Sequence, residues 1–97
     1  MARQRVMIIG NNVNAVQRVS HYCLKQGSEV FPYYEIPNAE EMKLFAPEVL
    51  VLCYPVTESA LPQLGHPCIL WSEHPISTNL PLASNASQLE AQLQAVR

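Results

Sequence analysis

Apolar residues fall in short dense runs, separated by stretches in which they recur at helical spacing. Arg5-Val6-Met7-Ile8-Ile9 is continuous, ends at Gly10, and is too short for a helix, which reads as a strand buried on both faces. Val13, Val16, Val19, Ser20, Cys23 and Leu24 then repeat with the period of one helix face, with Gln17, Arg18 and Gln26 falling between them. Asn11 or Asn12 offers the N-cap and Gly27 the stop. Glu29 to Tyr34 reads as a second strand. Pro32 has no N–H to give a ladder, which predicts a place at the sheet edge.

Past Pro37, Asn38 with Glu41 three residues on is a capping-box start for a short helix through Leu44. Val49 to Tyr54 is the clearest buried strand, ending at Pro55. A weak helical turn is predicted over Thr57 to Leu64, cut short by Pro62 and Gly65. Cys68-Ile69-Leu70-Trp71 reads as a fourth strand. Glu73 to Ser84, carrying Pro75 and Pro81, reads as loop with a brief strand at Leu80 to Ala83. Asn85 and Gln88 then open a last helix with Leu89, Leu93 and Val96 on one face. Buried strands alternating with helices predict a mostly parallel sheet of four or five strands in a three-layer α/β/α sandwich. One domain over 1–97 is expected, since 97 residues leave no room for a second core.

Composition changes this picture little and narrows function more. The chain is 48% hydrophobic and 14% charged, the balance of a folded body and not of a disordered one. A net charge of −2 without basic clusters argues against direct nucleic-acid binding. The apolar run after Arg5 is too short for a signal-peptide core or a membrane span, which makes the cytoplasm the default location. Cys23, Cys53 and Cys68 are odd in number and form no CxxC, so neither a disulfide framework nor a strong metal signature is present. His66, Cys68 and His74 are too scattered to read as a ligand set, and neither a metal nor a cofactor is expected. His21, Glu40 with Glu41, and Glu73 with His74 read as surface or capping groups.

The layout resembles a response-regulator receiver domain, which implies a flavodoxin-like fold with strand order 2-1-3-4-5. The resemblance rests on Ile8-Ile9-Gly10-Asn11-Asn12, on the first helix closing at Lys25-Gln26-Gly27, on Ala46-Pro47-Glu48-Val49-Leu50-Val51-Leu52, and on Ser87-Gln88-Leu89-Glu90-Ala91-Gln92-Leu93. It implies a phosphorylation site at the carboxyl ends of the strands. Of that site only Ser72 matches, falling where receivers carry a Thr or Ser that contacts the phosphoryl group. Gly10-Asn11-Asn12 stands in place of the acidic pair that holds magnesium, and neutral residues are poor ligands for that hard cation. Cys53 stands in place of the phosphorylated aspartate. The last lysine is Lys43, well before the position of the expected one, and the chain contains no aspartate at all. The stretch between Ser72 and Ser84 is too short for a full fourth helix.

These departures predict a pseudo-receiver: a non-catalytic module for protein–protein interaction or dimerisation in signalling, not switched by phosphorylation. The shortened fourth helix suggests an uncovered patch at Trp71, Ile76 and Leu80, suited to a protein partner or a second copy. The competing expectation is that the Pro-rich loop folds over the gap and closes the core. Two other functional classes stand beside the first. One is a small-ligand or nucleotide-binding domain using the Gly10–Asn14 loop, with Gly10, Asn11 and Asn12, and the Cys53–Thr57 loop, although the second glycine of a dinucleotide fingerprint is Asn12 here. The other is a thiol-dependent enzyme at Cys53, comparable in position to the phosphorylated cysteine of sugar-transport IIB domains.

Overall fold

The computed structural model describes residues 3–54, 67–74, 76 and 81–95. Its elements run β1 (Arg5–Ile9), α1 (Val13–Lys25), β2 (Glu29–Tyr33), α2 (Ala39–Phe45), β3 (Val49–Cys53), β4 (Cys68–Trp71), β5 (Leu82–Ala83) and α3 (Ala86–Ala95). All neighbouring strands are parallel and the sheet order is β2-β1-β3-β4-β5. The fold is the α/β sandwich that the alternation of strands and helices predicts. The helical turn expected over Thr57 to Leu64 lies outside the described residues. No helix among the described residues is long and apolar enough to cross a membrane.

Helix α1 begins where Asn12 leaves helical geometry and its Oδ1 accepts from the amides of Asn14 (3.0 Å) and Ala15 (3.3 Å). It ends in a Schellman motif: Gly27, at φ +80°, donates to Leu24 O, and Ser28 N donates to Cys23 O at 3.2 Å. The capping box of α2 is complete, with Glu41 N donating to Asn38 Oδ1 and Asn38 N to Glu41 Oε1. At its far end the left-handed C-cap is Ala46 at φ 48°, a position that usually goes to glycine. At α3, Gln88 N donates to Asn85 Oδ1 at 2.9 Å, while the Gln88 side chain reaches one residue further back, to Ser84 N.

Side chains alternate across the sheet, so two cores form. On one face Val6, Ile8, Val49, Val51, Cys53, Ile69, Trp71 and Ala83 meet Val16, Val19 and Cys23 of α1 and Leu89 and Leu93 of α3. On the other, Met7, Ile9, Leu50, Leu52 and Leu70 meet Met42 of α2, with Tyr33, Phe45, Cys68, Ile76 and Leu82 packed around them. Phe45 stacks on Phe31 with ring centroids 5.0 Å apart.

Strand β2 lies at the edge, as Pro32 predicts, and its register explains why the proline fits there. Glu29 N donates to Gln4 O and Tyr33 O accepts from Gly10 N, which turns the backbone of alternate residues 29, 31 and 33 toward β1. Pro32 therefore occupies an outward position, where it withholds no ladder bond and leaves the free edge without a donor.

The expected Trp71–Ile76–Leu80 patch is corrected by the same alternation. Trp71 is only 3% exposed and packs in the α1/α3 core, where its ring meets Tyr22 at 5.8 Å. Ile76 is half-buried against the opposite core, and Leu80 lies outside the described residues. Trp71 and Ile76 thus sit on opposite faces of the sheet and form no common surface. The fourth strand does not present an uncovered face either, since Leu70 is buried on its other side.

Candidate functional site

In an open parallel sheet, ligands bind outside the carboxyl ends of the strands, where consecutive strands diverge to either side of the first. Here that place lies around the loops after β1, β3 and β4. It brings together every residue that the sequence nominates for chemistry: Gly10, Asn11 and Asn12, then Cys53, then Ser72.

Gly10 and Cys53 meet in the centre. A Cβ built on Gly10 would lie 2.7 Å from Cys53 Cβ and 3.0 Å from Val16 Cγ2, so no larger residue fits without displacement. Cys53 itself is 1% exposed, and burial pushes its thiol up to about 12 from an ordinary 9.0. The thiol is therefore protonated at neutral pH, the opposite of what a nucleophilic cysteine needs. Cys23, in the same core, is also pushed up to about 12, by burial first and by the neighbouring Cys53 second.

The surrounding polar groups are engaged locally. Asn12 is committed to capping α1, and Asn11 is exposed. Ser72 is buried: its hydroxyl donates to His74 O at 2.8 Å and accepts from His74 N at 3.2 Å, closing a turn on itself. Glu73, next in sequence, forms an ion pair with Arg18 of α1 and so ties this loop to the first helix. His74 is exposed. Among the described residues no group of three His, Cys, Asp or Glu side chains could hold a metal ion.

Sequence reasoning missed one feature of this end. A small cleft of about 80 Å³ opens beside the β1 loop, lined by Ile9, Gly10, Asn11, Tyr34, Glu35 and Ile36. Tyr34 and Ile36 there are exposed, as is Tyr54 after β3, at 50%. The run Tyr33-Tyr34-Glu35-Ile36 after a predicted edge strand was the available signal. Which of its side chains faced outward depended on where β2 ended.

No family model matches the chain, and no curated protein does. Among solved structures, a response regulator receiver domain protein from Bacillus halodurans c-125 superposes with a TM-score of 0.64, at 11% sequence identity. The match covers 99% of this chain and 98% of that one. The fold is receiver-like.

At 11% identity the likeness is one of architecture, and the receiver-like fold says where a site would sit without saying what it does. At that place the residues on this scaffold are a glycine and a buried thiol in direct contact, two asparagines and a serine turned back on its own loop. None of them carries a negative charge. Among the described residues of that edge, Gly10, Cys53 and Ser72 are buried, while Asn11, Asn12, Tyr34 and Tyr54 are exposed.

Proposed function

We propose that this chain is a pseudo-receiver: a non-catalytic module in signalling or regulation that works through protein–protein contact or dimerisation and is not phosphorylated. The observation that carries this reading is the Gly10–Cys53 contact. Hard divalent cations are held by oxygen ligands, mostly carboxylates, and the position that receivers give to a phosphorylated aspartate is a buried neutral thiol. The glycine opposite leaves no side chain there to bind anything. The same end of the molecule supports a contact role, since Tyr34, Ile36 and Tyr54 expose aromatic and aliphatic surface of the kind enriched in interface centres. In this reading, partner binding replaces phosphorylation as the controlling event.

Incubation with acetyl phosphate and magnesium, followed by intact mass measurement, tests the first half. No phosphoryl adduct and no magnesium-dependent shift of amide resonances around Gly10 are expected, and an adduct on any side chain overturns the reading. Sedimentation velocity over a wide concentration range tests the second half for self-association. If the chain dimerises, Tyr54→Ala should weaken the dimer while leaving unfolding unchanged.

A further inference from the structure

We draw no further inference here: the strongest candidate, the two clefts at the carboxyl end of β2 that share Tyr34 and Glu35, sets exposed aromatic surface beside one carboxylate, and nothing in the structure shows what covers it.

Discussion

At the scale of single residues, the least conspicuous position in the chain decides most. Among the described residues Gly10 is the one glycine whose missing Cβ makes a close approach, between β1 and β3, available. Gly10→Ala should destabilise the protein by roughly 1–3 kcal/mol, the usual cost of overfilling a packed core. Urea unfolding measures this directly, and the penalty should shrink in a Cys53→Gly background, where the opposing Cβ is gone. The two buried thiols make a second prediction. Cys23 and Cys53 hold their protons to about pH 12 in the fold, whereas an ordinary thiol releases its proton near 9.0. Below pH 9 both states are protonated and the full stability is present. As pH rises from 9 toward 12 the unfolded chain binds fewer protons than the folded one, and stability falls by at most roughly 1.4 kcal/mol per pH unit for each thiol. Urea midpoints compared at about pH 8 and about pH 10 should show that fall. A Cys23→Ala, Cys53→Ala double variant should show a flatter profile.

At the scale of elements, local signals set where each helix starts more firmly than where it stops. Asn12, Asn38 and Asn85 all cap the helices that they were expected to cap, because an Asx side chain satisfies the first free amides whatever the tertiary context. Stops are less legible. Gly27 ends α1 through its left-handed backbone, but α2 ends at Ala46, which takes the same conformation despite its Cβ. The chain turns there so that Pro47 is buried and Val49 can enter β3 beside β1. Left-handed geometry costs an L-residue on the order of 1–2 kcal/mol, so Ala46→Gly should raise stability by about 1 kcal/mol after glycine's extra unfolded-state entropy is counted. A rise in thermal midpoint checks this, and a fall would mean that Ala46 makes contacts worth more than the strain.

At the scale of the whole molecule, the sheet has two edges, and β2 is blunted at one of them by Pro32 in an outward position. Pro32→Val restores an N–H to that free edge and should promote strand-to-strand association, seen as concentration-dependent growth in sedimentation velocity. An unchanged monomer fraction would show that other features already protect the edge.

The sequence by itself determined the element order, the parallel α/β class, the edge position of β2 and the lack of an aspartate at the strand ends. Each of these follows from period, from a backbone property of Pro or Gly, or from the total absence of aspartate. Only the tertiary structure decided which face each strand residue took. A run such as Cys68-Ile69-Leu70-Trp71 is apolar throughout, so nothing local distinguishes its two sides. Packing against α1 and α3 put Trp71 in the core beside Tyr22, while Ile76 went to the opposite face, which dissolved the patch expected there. The contact of Gly10 with Cys53 was hidden for the same reason: it joins residues far apart in the chain and exists only once β1 and β3 lie side by side.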